Sequence, residues 1–395
     1  MVMARIGIYG GTFNPPHAGH IAAANFALMA LELDRLLVIP ARTPPHKQKN
    51  GDITDGAHRL EMLKLAFAGE ENITVSDMEL QRDGISYTCR TVEILKAQYP
   101  GDELFLLMGT DMFLSFSSWY QPEQILKRAT IAVLCRDEEA GSRAVLETRK
   151  TLVGQGGSVV LLENPVVEIS SSTLRRLLVF GCTEAYIPQS VLHYIYENGL
   201  YDIKKDYRNL PMDKLETVVV GLLKSNRVAH VLGCRDTARE LALRWGADPV
   251  DAARAGLLHD ITKALDGPLQ LTLCRAYGTM LDDFSRNNPK TLHAFTGSLV
   301  AERIFGENEA VVQAIRFHTT GKPAMNTLEK IIYVADYMEP NRKFDGVEKL
   351  RELAFSDLDA ALQLGLEMTL SMLHQQGREI SPESQQALRY LKEGR

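Results

Sequence analysis

The sequence predicts two domains: a doubly wound, Rossmann-like α/β domain with a parallel sheet, then an all-α helical bundle. Three observations carry this. The chain has 395 residues, long for a single domain. Up to about residue 202, short apolar runs alternate with helical patterns, as in a parallel sheet covered on both faces. Beyond a charged, proline-ended stretch the strand signals stop and helix-period patterns take over.

Six runs read as strands: 5–9, 36–40, 73–77, 104–108, 131–135 and 159–162. The stretch from Tyr201 to Asp213 reads as a linker, and a cut near Arg208 gives domains of residues 1–207 and 208–395. Helices are expected over 237–245, 252–258, 298–305, 310–317 and 328–337, with neither an internal repeat nor a low-complexity segment.

Composition narrows the function. Hydrophobic residues make up 45% and charged residues 24%, as in ordinary globular proteins. A net charge of −6 without long Lys/Arg blocks argues against nucleic acid as a partner and favours small anionic substrates. The five cysteines are scattered, so they read as reduced core residues rather than a disulfide framework or zinc knuckle. The N-terminus runs directly into the first strand pattern and no apolar run approaches a membrane span, which predicts a cytoplasmic protein with no membrane partner. The sequence leaves room for a homo-oligomer.

The first chemical constellation is Gly10-Gly11-Thr12-Phe13-Asn14-Pro15-Pro16-His17-Ala18-Gly19-His20, between the first strand and a helical pattern. Such a turn lies outside the carboxyl end of a parallel strand, where open α/β sheets bind ligands. Two glycines permit close backbone approach, and a helix N-terminus favours phosphate. The dinucleotide and P-loop glycine fingerprints are absent, so the chemistry rests on the histidines. A pair of imidazoles can hold a triphosphate and stabilise charge as one phosphoryl bond forms and another breaks. The bland alternative is a helix cap and a surface histidine. A second phosphate-type signal, Ile169 to Arg175, opens a later helix with hydroxyl side chains and one arginine.

These residues resemble the nucleotidyltransferases with an HxGH motif, and within them the bacterial nicotinate-mononucleotide adenylyltransferases. The likeness spans the first half and includes Pro44-Pro45-His46-Lys47, His58-Arg59, Ser86-Tyr87-Thr88, Met108-Gly109-Thr110-Asp111 and Trp119-Tyr120. It implies attack of the phosphate of nicotinate mononucleotide on the α-phosphorus of ATP, assisted by Mg²⁺. His17 and His20 would be catalytic and hold ATP, together with Gly10, Gly11, Thr12 and Phe13. Ser171, Ser172 and Arg175 would grip the departing phosphates, and Gly109 and Asp111 the adenosine end. Asn14, Lys47, Thr88, Trp119 and Tyr120 would bind the mononucleotide, with Trp119 stacked on the pyridine ring. Otherwise Trp119 is a core tryptophan; Lys47 and Arg59 are either phosphate contacts or ordinary surface cations. Within this fold, pantetheine-phosphate adenylyltransferase and cytidylyltransferase activities are the rivals; Trp119 after 108–111 favours the pyridine nucleotide.

The second constellation is His230, His259-Asp260, His293, His318 and Asp336, spread over different helical patterns beside apolar stretches. Buried imidazoles and carboxylates without partners are costly, so convergence on metal is the economical reading. The pattern resembles the HD phosphohydrolase superfamily, and more narrowly its bacterial symmetrical diadenosine tetraphosphate hydrolases. The likeness implies a binuclear centre bridged by Asp260, with His230, His259 and Asp336 on one ion and His293 and His318 on the other. Iron is the first expectation, with Mn, Co or Ni as alternatives. Lys263 joins Asp260 as a catalytic residue, and Lys263 and Arg342 would neutralise the polyphosphate. The alternatives are another nucleotide phosphohydrolase and a metal-binding regulatory module.

Overall fold

The six apolar runs form strands, and their neighbours in the sheet decide where a ligand fits. The computed structural model describes residues 3–43, 53–164, 169–204, 206–288 and 291–394, so Lys47 lies outside the described residues. The strands are β1 (Arg5–Gly11), β2 (Arg35–Pro40), β3 (Ile73–Val75), β4 (Glu103–Gly109), β5 (Thr130–Arg136) and β6 (Val159–Asn164). They pair in parallel in the order β3-β2-β1-β4-β5-β6. The helices of this half are α1 (Ala18–Ala30), α2 (Gly56–Ala66), α3 (Thr88–Gln98), α4 (Thr110–Leu114), α5 (Pro122–Leu126), α6 (Arg143–Gly154), α7 (Ser171–Val179) and α8 (Gln189–Glu197).

Alternate residues of one strand feed opposite cores. Leu104 and Leu106 join one apolar cluster with Ile6, Ile8, Ile131 and Val133, while Phe105 and Leu107 join another with Leu36, Val38 and Ala132. Burial on both faces is why the strands read as unbroken apolar runs. The third strand is shorter than its run. Ser76 N–H still donates to the Val38 carbonyl, but Asp77 then accepts from the amides of Leu80 and Gln81 in a turn. Chain order reverses between β1 and β4, which opens a crevice at their carboxyl ends.

The chain divides into the compact units Met1–Ile203 and Lys204–Arg395. The second unit begins a little before the boundary read from sequence because the expected linker is folded onto it. Tyr207 is buried with its ring 6.0 Å from that of Phe305, and Asn209 N–H donates to the Phe305 carbonyl. Its helices are α9 (Met212–Leu222), α10 (Ser225–Trp245), α11 (Pro249–Leu258), α12 (Gly267–Ala276), α13 (Asp283–Asn287), α14 (Leu292–Arg303), α15 (Glu309–Arg316), α16 (Thr327–Met338), α17 (Val347–Ser356), α18 (Leu358–Gln375) and α19 (Pro382–Glu393). The helix expected over 237–245 is the second half of α10; polar groups and a glycine in its first half hide the apolar period. All five cysteines are free and buried. Among the described residues, no helix is long and apolar enough to cross a membrane.

Candidate active sites

The glycine turn ends β1 against the start of α1. A β-carbon on Gly11 would meet the Phe13 ring at 2.8 Å, whereas one on Gly10 would meet nothing within 4 Å. Gly11 is therefore required by the protein's own packing, and Gly10 keeps the crevice wall open. Phe13 is buried, with its ring edge-on to Tyr9 and to His20 at 5.4 and 4.9 Å. The ring thus forms the floor beneath His20.

His17 is the N-cap residue of α1, but its side chain makes no capping bond. The two imidazoles lie 3.7 Å apart between centroids, and His17 N–H donates to His20 Nδ1 at 3.2 Å. That acceptor role places the proton of a neutral His20 ring on Nε2, a donor suited to a phosphate oxygen. Buried His17 has no hydrogen-bond partner at Nδ1 among the described residues.

The second phosphate-type signal meets the first in space. Ser171 Oγ donates to the Pro15 carbonyl at 3.0 Å, and Arg175 Nη1 donates to the Asn14 carbonyl at 2.8 Å. Ser170 caps α7 by accepting from Thr173 N–H, while Ser172 is exposed on its first turn. Asn14, expected to meet the mononucleotide, is buried, and its Oδ1 accepts from Thr54 N–H. Arg59 is neither a surface cation nor a phosphate contact. It is 1% exposed, and it donates from Nη1 to the Thr12 carbonyl and from Nε to the Thr54 carbonyl.

A cavity of about 880 Å³ opens at the β1/β4 crevice, lined by Gly10, Gly11, Thr12, Thr88, Gly109, Trp119 and Tyr120. Tyr120 lies against Tyr87 at 4.5 Å. Trp119 is half-buried against Phe116, so it packs on the core and faces the cavity at once. Asp111 is exposed in α4 and does not line the cavity. Sequence reasoning missed Glu79, a buried carboxylate on the cavity wall that accepts from Thr91 Oγ1 at 2.6 Å.

In the second unit the expected cluster assembles from five segments. His230 comes from α10, His259 caps the end of α11 with Asp260 beside it, and His293 starts α14. His318 follows α15 and Asp336 lies in α16. The two oxygens of Asp260 face different imidazoles. Oδ2 lies 3.6 Å from Nε2 of both His230 and His259, and Oδ1 lies 3.3 Å from His293 Nε2 and 3.9 Å from His318 Nε2. Asp336 Oδ1 lies 3.1 Å from His230 Nε2 and 3.8 Å from His259 Nε2.

The electrostatics suit cations. Burial holds the His259 imidazole well below its usual range and lowers His318 to about 4, so both rings are neutral at pH 7, as metal-binding imidazoles must be. Burial opposes ionisation of Asp336, but the neighbouring His230, His259 and Arg342 together hold its carboxyl well below the usual range. His318 Nε2 is buried without a hydrogen-bond partner among the described residues, as a nitrogen reserved for metal would be. The donor set of imidazoles and carboxylates fits a divalent transition metal.

Lys263 Nζ sits 2.8 Å from His293 Nε2, and Arg342 Nη2 donates to Asp336 Oδ1 at 2.5 Å. Both cations therefore face the cluster rather than pairing at the surface. Arg227, which sequence reasoning missed, contacts Asp260 Oδ2 from one turn before His230. Its position three residues from His230 was the available clue. Beside the cluster lies a cavity of about 1370 Å³, lined by Lys263, Tyr337, Arg342, Phe344, Met368 and Arg378 among others.

A cytidylyltransferase-like family profile matches residues 8–177, and an HD-domain profile matches residues 227–341. Over 201 residues the chain is 39% identical to the nicotinate-nucleotide adenylyltransferase of Bacillus subtilis, covering 51% of this chain and all of that protein. The chain belongs to the nicotinate-nucleotide adenylyltransferase family. The chain is also similar to a Clostridium acetobutylicum protein whose crystal structure is described as a predicted HD superfamily hydrolase involved in NAD metabolism. The two are 37% identical, with 47% of this chain and 99% of that one covered and a TM-score of 0.46. The adenylyltransferase unit thus carries the glycine-histidine turn, and the HD unit the metal-type cluster.

The histidine turn also makes the adenylyltransferase unit pH-sensitive. Burial lowers the His17 imidazole from 6.5 to about 4. The unfolded chain takes up this proton first, so the stabilisation is complete above about pH 6.5 and is lost as pH falls toward 4. At about 1.4 kcal/mol per pH unit, the full effect is about 3 kcal/mol. Protection factors over β1 and α1, corrected for the intrinsic slowing of amide exchange in acid, should fall between pH 6.5 and 5 in the wild type and much less in His17→Gln; equal slopes would refute the assignment.

Proposed function

We propose that the first unit transfers AMP from ATP to nicotinate mononucleotide, giving nicotinate adenine dinucleotide and pyrophosphate, and that the second cleaves diadenosine tetraphosphate symmetrically to two ADP. For the transferase, the observation that carries the reading is the contact of the two phosphate-type segments beside the β1/β4 cavity. ATP would enter as its Mg²⁺ complex. The mononucleotide phosphate oxygen attacks the α-phosphorus as the bond to the bridging oxygen breaks, and pyrophosphate leaves. His20 donates from Nε2 to the phosphate oxygens, while His17, neutral by burial, supports a hydrogen bond without adding charge. The first turn of α7 receives the departing phosphates with Ser171, Ser172 and Arg175. Trp119 stacks on the pyridine ring, with Thr88 and Tyr120 beside its carboxylate.

For the hydrolase, the reading rests on Asp260, whose two oxygens divide the imidazoles into two sets. His230, His259 and Asp336 would hold one ion and His293 and His318 the other, with Asp260 bridging; iron fits, as do Mn, Co and Ni. Such ions supply charge neutralisation at the phosphoryl group and a lowered pKa for the attacking water. Lys263, Arg342 and Arg227 neutralise the polyphosphate, and Tyr337, Phe344 and Met368 offer surface for a nucleoside in a cavity roomy enough for two.

The test is a product assay on the full chain. With ATP, Mg²⁺ and nicotinate or nicotinamide mononucleotide, nicotinate adenine dinucleotide should dominate, and Trp119→Ala should raise the KM for the mononucleotide about 2–10-fold, the worth of one aromatic stack. No pyridine dinucleotide would refute the transferase reading. With diadenosine tetraphosphate and Fe²⁺ or Mn²⁺, ADP should be the sole nucleotide product. ATP plus AMP would refute symmetrical cleavage, and no turnover would make the HD unit a hydrolase of another substrate or a regulatory metal module.

A further inference from the structure

Glu339 is 1% exposed, follows α16 and hydrogen-bonds to His230 of the cluster through its side chain. Its Oε1 accepts from His230 Nδ1 at 3.1 Å. Its Oε2 is occupied by two donors of Asn341, the backbone N–H and Nδ2, each at 2.8 Å. Asn341 Nδ2 also reaches the Ala229 carbonyl at 3.0 Å, and Arg351 grips the same turn by donating to the carbonyls of Met338 and Glu339. The carboxylate is thereby aimed at a single imidazole nitrogen.

The other ring nitrogens show why His230 needs such a partner. His259 and His318 lie at helix ends, and each Nδ1 donates to the carbonyl three residues back, Gly256 and Ile315, at 2.7 Å. His230 lies inside α10, where the nearby carbonyls are committed to the helix. Gly233, one turn further on, is also within α10 although glycine weakens a helix interior. A β-carbon there would lie 2.4 Å from Glu339 Oε2 and 3.1 Å from Asn341 Nδ2. The glycine makes room for the carboxylate.

We infer that Glu339 is the positioning residue of the HD cluster: it fixes the His230 proton on Nδ1, turns the Nε2 lone pair toward the ion shared with His259 and Asp336, and requires Gly233 for its seat. This rests on the two-ion reading above. A carboxylate behind a histidine ligand sets its tautomer, its orientation and its basicity, and its loss costs about 10–100-fold in metal affinity.

Glu339→Gln separates this role from mere filling of space. The amide must offer its oxygen to the two Asn341 donors, which turns its NH₂ toward His230 and forces the imidazole proton onto Nε2, the nitrogen a metal needs. The full-length, metal-free protein is titrated with Co²⁺, followed by visible absorption and metal analysis, and the His230 tautomer is read by ¹⁵N NMR. Wild type should take up two Co²⁺ per chain. E339Q should bind one of them about 10–100-fold more weakly and lose the Nδ1-bound proton, with the melting temperature of the metal-free protein close to wild type. Gly233→Ala, which displaces the carboxylate but keeps its charge, should weaken the same ion less. Unchanged Co²⁺ affinities in E339Q, or equal weakening of both ions with a collapsed melting temperature, would overturn the positioning role. A wild-type chain that takes up no Co²⁺ would instead remove the metal reading on which it stands.

Discussion

Asp260→Asn is expected to eliminate ADP release from diadenosine tetraphosphate while nicotinate adenine dinucleotide forms at the wild-type rate. Asp260 is 1% exposed and presents one oxygen to His230 and His259 and the other to His293 and His318. Substitution by an amide removes the charge shared by both sets and replaces one acceptor oxygen with a donor that repels a cation. The hydrolysis rate should fall by more than about 100-fold, the upper end for losing a single outer-shell partner, because this residue stands between both sets of ligands. Metal content and both activities are measured on one preparation. Parallel loss of both activities would mean global damage, and retained ADP release would refute Asp260 as the shared ligand.

His20→Ala carries the mirror expectation. Its ring rests on Phe13 and accepts the His17 N–H, which leaves Nε2–H as the donor toward phosphate. Removing one donor of this kind costs about 10²–10³-fold in kcat, so dinucleotide formation should fall by that factor while KM for nicotinate mononucleotide moves little. ADP release should persist. A rise in KM alone would make His20 a ground-state contact. Full retention of kcat would return it to the helix-capping role that its Nδ1 already performs.

The residues that were legible in sequence and those that were not differ in a physical way. The six strands were legible because both sheet faces are buried, so each strand must be apolar throughout. His17 and His20 were legible because a turn and the first helical residues bring them together within one short segment. Arg59 was misread as surface or phosphate-binding, because its destination, the Thr12 carbonyl, lies 47 residues away and leaves no local trace. Glu339 was passed over for the same reason, since it meets His230 across 109 residues. The first half of α10 was hidden because a metal-type histidine and a space-making glycine interrupt the apolar stripe that identifies a helix.

The sequence by itself determined the fold class, the change from a strand-bearing half to a helical one and the donor types of both sites, because burial period and side-chain chemistry are local properties. Only the tertiary structure decided that the serine-arginine helix start closes on the histidine turn, that Asn14 and Arg59 bond to the neighbouring loop backbone, and that one carboxylate stands between two imidazole sets. A hydrogen bond or a shared ligand depends on distances of a few ångströms between segments far apart in the chain, and packing fixes those distances.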